Sequence, residues 1–348
     1  MPIWYRVNGR LIQAEAQIPS EEMAEMLTDI LNERQRKLFD AGKDADFAIR
    51  TSDGHRQRVN VFRQQKKVAA TIRLLNAHIP SLEELKMPTL LYQLAEEPRG
   101  LILVTGPTGS GKSTTLAAMI EHMNQVSDRH IITIEDPVEY VYENKKSLIH
   151  QREVGEDVES FAAALRSALR EDPDVILVGE MRDYETIQAA LLAAETGHLV
   201  LSTLHTNDAA STITRLVDMG VPSYMVASSL IGVVAQRLVK VLCPKCKKPR
   251  LSTDEENELM GICSSVTIFD ACGCSECNNT GYKGRTAIHE IIHCTNDISE
   301  LIVDGANKDQ LENAAKAHGT KLLRENVSML VRSGSTTIDE LVRVTYTI

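Results

Sequence analysis

One stretch, residues 101–124, constrains the fold of this chain more than any other. Residues 101–105 (LILVT) form a short apolar run that predicts a buried parallel strand. Residues 106–113 (GPTGSGKS) then fit the phosphate-binding pattern G-x-x-x-x-G-K-S. Apolar residues recur at helical spacing after the loop, from Leu116 to Met123. A strand, a glycine loop and a helix in this order predict that the loop holds phosphate groups, whereas a glycine-rich turn that binds nothing needs no such context.

The residue types of this loop suit a nucleotide with its magnesium ion. Glycines let backbone N–H groups curl around phosphate oxygens, and the helix N-terminus adds partial positive charge. We expect Lys112 to reach the β- and γ-phosphates and the Ser113 hydroxyl to bind Mg²⁺. The residues predicted to bind Mg²⁺ and ATP are Gly106, Pro107, Thr108, Gly109, Ser110, Gly111, Lys112, Ser113 and Thr114.

Length and composition place the chain among soluble globular proteins. At 348 residues it is too long for one ordinary core, and its residues are 43% hydrophobic and 25% charged. The N-terminus has no apolar core of the signal-peptide type, and no run of about 18 apolar residues exists. The formal net charge of −10 argues against direct nucleic-acid binding, although a local basic groove is compatible with an acidic total.

We predict five segments along the chain. They are an N-terminal α+β domain (residues 1–80), a linker (81–99), a phosphate-loop core (100–242), a tetracysteine module (243–285) and a C-terminal helical region (286–348). In the linker, residues 81–84 form a capping-box pattern and Pro88 suits the first turn of a helix. Residues 208–242 are expected to be mainly helical, with a break at residues 220–222, and residues 298–344 to be amphipathic helices.

The N-terminal segment mixes strands with a helix. Asn8-Gly9 predicts a hairpin turn, and Ser20 is expected to cap a helix. Strands are predicted at residues 46–50 and 58–63, on either side of an Asp53-Gly54 turn, and at 68–75. Three arginines lie on or beside these strands, and from the sequence alone they form a solvated strand face: Arg56, Arg58 and Arg73.

Three further apolar strands follow the loop, at residues 130–134, 174–178 and 198–204, with helical patterns between them. This alternation predicts a parallel sheet, in which ligands lie beyond the carboxyl ends of the strands. Acidic residues and a histidine follow these strands: Glu135 and Glu139, Glu180, and His205. We therefore expect them at the same edge as the phosphate loop.

Phosphoryl transfer to water needs Mg²⁺, an oriented water and positive charge at the γ-phosphate. Glu180 is expected to orient water or to bind a Mg²⁺-coordinated water. Either Glu135 or Glu139 is expected to polarise the attacking water. His198 and His205 are candidates for sensing the γ-phosphate, with a packed core histidine as the alternative for each.

The seven cysteines include two C-x-x-C pairs, Cys243 with Cys246 and Cys274 with Cys277. Two such turns offer four thiolates for a tetrahedral structural Zn²⁺ site, and without a secretion signal a metal is favoured over disulfides. Four reduced structural cysteines are the alternative, and Cys272 is a rival ligand to Cys274.

Taken together, these motifs resemble the secretion ATPase superfamily, the motors of type II secretion and of type IV pilus assembly and retraction. The resemblance runs from about residue 56 to the C-terminus. Residues 106–113 look like its Walker A motif, and residues 133–139 (TIEDPVE) like its aspartate box. Residues 174–180, within the stretch DPDVILVGE (172–180), look like its atypical Walker B motif, and residues 196–205 look like its histidine box.

The resemblance implies an α/β fold: a RecA-like P-loop ATPase domain, a smaller N-terminal PAS-like α+β domain, and a C-terminal tetracysteine zinc module with helices. It places Glu139 in the position of the catalytic glutamate. It also implies that Arg56, Arg58 and Arg73 lie over the nucleotide. The implied assembly is a homo-hexameric ring whose subunits each move one domain relative to the other.

The resemblance divides between two branches of the family. Residues 151–155 and 179–183 are similar to retraction ATPases. The cysteine pairs and residues 281–285, 289–290 and 336–345 look like the assembly and secretion branch. We therefore expect a motor of pilus assembly or type II secretion, with retraction as the alternative.

The implied partner is an inner-membrane platform protein. It would hold the motor at the inner, cytoplasmic face of the membrane without direct insertion or nucleic-acid contact. No Ser-Asp-x-His strand of the family type precedes Tyr5, and the long docking leader of many assembly ATPases is missing from this sequence. We expect either a truncated start or a different mode of docking.

Two other classes of function remain open at this stage. An ATP-dependent switch or scaffold would bind nucleotide without sustained turnover, and Glu139 and Glu180 argue against it. A nucleic-acid motor would use the cysteines as a zinc finger, and the net charge argues against that.

Overall fold

The computed structural model describes residues 2–7, 10–52, 55–75 and 78–346. The chain divides into two compact units. The first contains Met1–His78 together with the short segment Pro137–Val141, and the second contains Ile79–Asp136 and Tyr142–Ile348. The segment that carries Glu139 thus belongs to the first unit, although its neighbours in sequence belong to the second.

The first unit is α+β, as predicted. Its elements are β1 (Pro2–Val7), β2 (Arg10–Gln17), α1 (Ser20–Asp29), α2 (Glu33–Asp40), β3 (Ala45–Arg50), β4 (Arg56–Gln64) and β5 (Lys67–Leu74). β1 and β2 pair as an antiparallel hairpin, and β3, β4 and β5 form an antiparallel sheet in that order. The predicted turns at Asn8-Gly9 and Asp53-Gly54 lie outside the described residues. A small core of Phe39, Phe47, Val59 and Val61 joins this sheet to the helices.

The cap of α1 differs from the prediction. The helix begins at Ser20, but the N-cap position is Pro19, and no side chain bonds to the first turn there. Ser20 is already the first residue of the helix, so its hydroxyl does not occupy the N-cap position from which a side chain accepts hydrogen bonds from the first turn. In contrast, the capping box at the start of the linker is confirmed, because Ser81 and Glu84 exchange side-chain hydrogen bonds of 2.7 and 3.1 Å.

A seven-stranded sheet forms the centre of the second unit. Its strands, in spatial order, are β14 (Tyr282–His293), β11 (Leu230–Leu242), β6 (Gly100–Thr105), β10 (Leu199–Leu204), β9 (Val175–Val178), β7 (His130–Glu135) and β8 (Leu148–Glu153). All neighbours are parallel except β14, which runs antiparallel to β11. The predicted parallel arrangement is therefore confirmed for the four predicted strands, β6, β7, β9 and β10. β8 and β11 extend the parallel sheet without having been predicted, and β14 makes it mixed.

Helices cover both faces of this sheet, which explains why its central strands β6, β9 and β10 are mainly apolar. Leu101 and Leu103 of β6 face one core, and Ile102 and Val104 face the other. The helices of this unit are α3 (Thr89–Glu96), α4 (Lys112–Val126), α5 (Phe161–Ala168), α6 (Tyr184–Glu195), α7 (Ala209–Asp218), α8 (Ser223–Ser229), α9 (Asp254–Met260), α10 (Asn296–Val303), α11 (Lys308–Ala317), α12 (Leu323–Arg332) and α13 (Ile338–Tyr346).

The mainly helical interpretation of residues 208–242 is wrong for its second half. Helices α7 and α8 end at Ser229, and residues 230–242 form β11, the longest strand of the sheet. Val233, Val234 and Val239 of this strand are fully buried. A continuous apolar run does not show by its periodicity whether it is a helix or a strand. Here pairing with β6 on one side and β14 on the other makes residues 230–242 a strand, and their β-branched valines suit that conformation.

The C-terminal part of the chain adds β14 to the sheet and then forms the predicted helices. A short antiparallel pair, β12 (Lys248–Leu251) and β13 (Thr267–Asp270), lies between the two cysteine pairs in sequence. Helices α10 to α13 confirm the helical interpretation of the tail. Throughout the part of the chain that the structure describes, no helix combines the length and apolarity needed to cross a bilayer.

Candidate functional site

The phosphate loop joins the end of β6 to the start of α4. Gly111 is the N-cap residue of α4, with φ of 92°, and Gly106 has φ of 148°. A Cβ at Gly106 would lie 2.5 Å from the backbone oxygen of Gln236, so only glycine fits there. Pro107, Thr108 and Gly109 are exposed. The loop thus offers solvent-facing backbone at a helix N-terminus, an arrangement that suits an anion.

The two polar side chains at the start of α4 differ in exposure. Lys112 is buried, and its Nζ donates hydrogen bonds to the carbonyl oxygens of Gly106 (2.8 Å) and Pro107 (3.3 Å). Ser113 is exposed. A lysine folded back over its own loop can pair with phosphate oxygens, and an exposed serine hydroxyl beside it can coordinate a hard cation. The residues present therefore fit a Mg²⁺-bound nucleotide phosphate.

The carboxyl ends of four strands converge beside this loop. Leu204 is level with Thr105, and both Ile134 and Ser202 are level with Val178. Glu180 follows β9 and His205 follows β10, while Glu135 ends β7. The structure thus confirms that Glu135, Glu180 and His205 lie at the edge of the sheet that carries the phosphate loop.

Glu180 lies at the centre of the charged groups at this edge. One carboxylate oxygen is 2.8 Å from Nε of Arg182, and the other is 3.8 Å from Nε2 of His205. Glu180 is partly buried, with 20% of its side chain exposed. An ionised carboxylate held in this position can accept a hydrogen bond from a water molecule while Arg182 holds its other oxygen.

The environment of His205 favours the neutral imidazole. Burial lowers its pKa from the usual 6.5, and the positive charge of Lys112 lowers it further, whereas Glu180 acts in the opposite direction. Lys112, Glu180 and His205 therefore interact electrostatically within one unit. Near pH 7 His205 can accept or donate one hydrogen bond without adding a full positive charge.

Glu135 is held by its neighbours on the sheet. Its Oε1 accepts hydrogen bonds from the hydroxyl of Thr133 (2.7 Å) and from Nε2 of Gln151 (3.2 Å). The backbone of Gly179 also lies against it, since a Cβ there would be 3.5 Å from the Cα of Glu135. The backbone of Glu135 thus lies next to the Gly179–Glu180 turn, while its carboxylate is held by Thr133 and Gln151.

His198 lies at the opposite end of β10 from this edge, and its role at the γ-phosphate stays a prediction. It precedes β10, and its Nδ1 lies 2.9 Å from the carbonyl oxygen of Ala193 at the end of α6. Its own carbonyl accepts a hydrogen bond from Gly100, the first residue of β6. Six strand residues, about 20 Å, separate it from His205. It fits the alternative of a structural histidine.

The remaining candidates lie in the first unit. Arg56 donates a hydrogen bond of 3.2 Å to the carbonyl of Val138, the residue before Glu139. Arg58 forms a bidentate pair with Asp46, with distances of 3.1 and 2.7 Å. Arg73 lies opposite Arg58 in the sheet and is exposed. The predicted roles of these arginines and of Glu139 at the nucleotide remain predictions.

Three residues at this edge were not predicted from the sequence. Arg182 lies two residues after Glu180, a spacing that gives no signal of pairing on its own. Gln236 and Arg237 of β11 pack against the phosphate loop, in a segment interpreted as helical. Only the pairing of β11 with β6 brings these residues to the loop.

Four cysteine sulfur atoms form a second site, and these cysteines follow the residues of the phosphate-loop edge in the sequence. The Sγ atoms of Cys243, Cys246, Cys274 and Cys277 all lie within 4.8 Å of one another. Three of the distances are 3.8–3.9 Å. A tetrahedral Zn²⁺ with Zn–S bonds of about 2.3 Å separates its sulfur ligands by about 3.8 Å. The cysteine geometry therefore fits structural zinc.

Hydrogen bonds prepare Cys277 to act as a thiolate. Although burial raises the pKa of its thiol, backbone N–H groups of Cys274 and Gly281, each 3.2 Å from the sulfur, and the side chains of Cys274 and Cys246 together lower that pKa to about 6. Cys272 is exposed and lies outside the cluster, which excludes it as the rival ligand in this geometry.

Comparison with known proteins agrees with this architecture. Residues 2–343 match the family model described as Type II/IV secretion system protein. Type II secretion system protein E of Pseudomonas aeruginosa is 39% identical over 358 residues, which cover 98% of this chain and 69% of that protein. Type IV pilus retractation ATPase PilT of the same species is 47% identical over 247 residues, which cover 69% of this chain and 72% of that protein.

The solved structures include a crystal structure of the pilus retraction motor PilT with bound ADP. Its TM-score is 0.80 at 36% identity, and the match covers 99% of this chain and 90% of that chain. Against other curated relatives the chain spans only 50% to 65% of their length. The family match extends over nearly the whole chain, and the chain therefore belongs to the Type II/IV secretion system protein family.

Proposed function

We propose that this protein is a hexameric ATPase motor. It hydrolyses Mg²⁺-bound ATP at the phosphate-loop edge and uses the resulting domain motion to drive the polymerisation of pilin-like subunits. The observation that carries the proposal is the convergence of Lys112, Glu180 and His205 on one edge of the sheet. A protein that only binds nucleotide needs the loop and the lysine, but it needs no water-orienting carboxylate beside them.

In the proposed mechanism, Mg²⁺ would supply positive charge against the phosphate charge that develops during transfer. The loop amides and Lys112 would hold the phosphates, and the Ser113 hydroxyl would hold the metal. Glu180, with one oxygen on Arg182, orients a water molecule with the other. Neutral His205 hydrogen-bonds near the γ-phosphate. Glu135 and Glu139 both remain candidates for the group that polarises the attacking water.

The first unit is proposed to complete this site. Arg56 bonds to the carbonyl of Val138 and so fixes the backbone beside Glu139. The exposed Arg73 and the Asp46-paired Arg58 would add positive charge over a nucleotide held by the same or a neighbouring subunit. Completion by a neighbouring subunit would make turnover depend on assembly, which is why we propose a ring rather than an independent monomer.

Steady-state ATP turnover with Lys112→Ala tests the site. Loss of both the lysine charge and its loop contacts should reduce turnover by at least a hundredfold, since such charge stabilises the transition state. Lys316→Ala, at an exposed position on α11, is the matched control and should keep normal turnover. Normal turnover by Lys112→Ala would refute the assignment. Nucleotide binding without turnover in any oligomer, with or without a membrane partner, would favour a switch instead.

We propose assembly or secretion, rather than retraction, as the use of the motor. The tetracysteine cluster supports this branch, as does the match to a type II secretion protein over 98% of the chain. The likeness to a retraction motor structure favours the alternative. The expected partner is a platform protein of the inner membrane, which would hold the motor at its cytoplasmic face.

Complementation separates the two uses. The gene is expressed in a piliated bacterium that lacks either its assembly ATPase or its retraction ATPase, and surface pili are counted by electron microscopy. Restored pili in the first strain would support assembly. Loss of the excess pili of the second strain, with restored twitching, would instead show retraction.

A further inference from the structure

β11 continues past the sheet edge directly beside the phosphate loop. Ala235 is level with Thr105, the last residue of β6, so the next two residues of β11 reach the level of the loop itself. These two residues, Gln236 and Arg237, are 1% and 5% exposed. Two consecutive buried polar side chains in a mainly apolar strand require a structural or functional reason.

The side chain of Gln236 joins the phosphate loop to the helix that follows it. Its Nε2 donates to the carbonyl oxygen of Ser110 (2.8 Å), inside the loop, and its Oε1 accepts from the hydroxyl of Thr115 (2.7 Å), in the first turn of α4. The contact is close, because a Cβ at Gly111 would lie 2.8 Å from Nε2. Gln236 thus fixes the loop relative to the helix whose N-terminus faces the phosphates.

Arg237 joins the phosphate loop to the loop that carries His205. Its Nη2 donates to the backbone oxygen (2.7 Å) and to Oδ1 (3.3 Å) of Asn207, two residues after His205. Its Nη1 donates to the carbonyl of Gln236 at 3.1 Å, and this same oxygen abuts Gly106. The carboxylates of Asp208 and Glu290 interact with this buried guanidinium electrostatically, while its hydrogen bonds go to Asn207 and to the carbonyl of Gln236.

We propose that Gln236 and Arg237 form a brace that sets the positions of two loops at the nucleotide site. Gln236 fixes the phosphate loop and so controls nucleotide affinity. Arg237 fixes the loop of His205 against the phosphate loop and so controls turnover of bound nucleotide. Both are positioning residues, since they act through loop backbone without touching the nucleotide. The inference rests on the proposed function. It adds two residues of β11, a strand that carries none of the motifs described above.

The test compares Gln236→Met with Asn257→Leu, a matched control. Asn257 is also a buried amide, 5% exposed, and it bonds to Ser252 and Ser265 rather than to the loop. Binding of a fluorescent ADP analogue to the full chain should weaken about tenfold in Gln236→Met, because the buried carbonyl of Ser110 loses its donor. Asn257→Leu should bind within twofold of the wild type.

Two further variants, each a conservative change, test the same contacts without a large loss of folded protein. Thr115→Val removes one of the two Gln236 contacts and should weaken binding about threefold, and it should add little in the double variant with Gln236→Met. Arg237→Lys keeps the charge but cannot span Gln236 and Asn207 together. It should lower kcat about tenfold or more while leaving KM within twofold.

The outcomes separate this inference from the proposed function. A wild-type chain that binds no nucleotide would overturn both. A wild type that binds, with Gln236→Met and Thr115→Val equal to it in affinity, would overturn the brace alone. Equal losses in Gln236→Met and Asn257→Leu would also overturn it, because they would show a general effect of a weakened core.

Discussion

A buried histidine on β14 should make the stability of this protein depend on pH. His289 is 9% exposed, and in the described part of the structure its Nε2 has no hydrogen-bond partner. Burial lowers its pKa from the usual 6.5 to about 4. The folded protein therefore keeps this imidazole neutral at pH values where an unfolded chain already binds a proton.

The sign and size of the effect follow from these two values. Below pH 6.5 the unfolded state gains protons at His289 while the folded state does not, so stability falls as the pH falls, until the folded group titrates near pH 4. Each pH unit in this window corresponds to about 1.4 kcal/mol. Between pH 7 and pH 5 the loss of unfolding free energy from His289 should be about 2 kcal/mol.

Urea unfolding at pH 7 and pH 5 measures this loss in the wild type and in His289→Leu. Burial raises the pKa of the adjacent Glu290, which acts in the opposite direction, but Glu290 is present in both proteins and cancels in the comparison. The wild type should lose about 2 kcal/mol more than the variant.

His293→Leu, at an exposed position of the same strand, is the control and should follow the wild type. The explanation would be refuted if His289→Leu lost as much stability on acidification as the wild type. It would also be refuted if His293→Leu removed the effect as completely as His289→Leu.

Two further predictions concern the metal site and the core. Protein purified without chelator should carry about one Zn²⁺ per chain and should melt at a lower temperature after the metal is removed. Cys277→Ser should carry no zinc, and Cys272→Ser should keep it. A metal-free wild type of unchanged stability would reject the site. Leu103→Ala, at a fully buried position of β6, should cost about 2–5 kcal/mol of unfolding free energy in urea, and Leu148→Ala, at a half-exposed edge position, under about 1 kcal/mol; equal costs would contradict the two-sided core.

Much of the fold could be predicted because its signals are local. The phosphate loop with its flanking strand and helix, the strands ending at Glu135 and Glu180, and the cysteine pairs each occupy a few consecutive residues. The apolar runs and glycines restrict the local backbone conformation, and the C-x-x-C spacing places two thiols on one turn. The placement of Glu180 and His205 beside Lys112 followed from one further rule, that parallel strands end at the same edge.

The features that could not be predicted depend on contacts between residues distant in sequence. Residues 230–242 have an apolar pattern that fits either a helix or a strand, and only their partners β6 and β14 make them a strand. His198 and His205 belong to one motif, yet one precedes β10 and the other follows it, so they lie at opposite edges. Gln236 has no motif, and its importance depends on a register that pairs β11 with β6.

The most direct test of the proposed motor is steady-state ATPase activity as a function of protein concentration. We expect specific activity to rise with concentration, because sites completed by neighbouring subunits work only in the assembled ring. Glu180→Gln should abolish turnover at every concentration, because its amide cannot orient water as the carboxylate does.

Size measurement at the lowest concentration distinguishes a stable ring from a self-sufficient subunit if activity is flat. Activity that is flat in a chain shown to be monomeric would contradict the proposed ring. Undiminished activity in Glu180→Gln would contradict the proposed site itself.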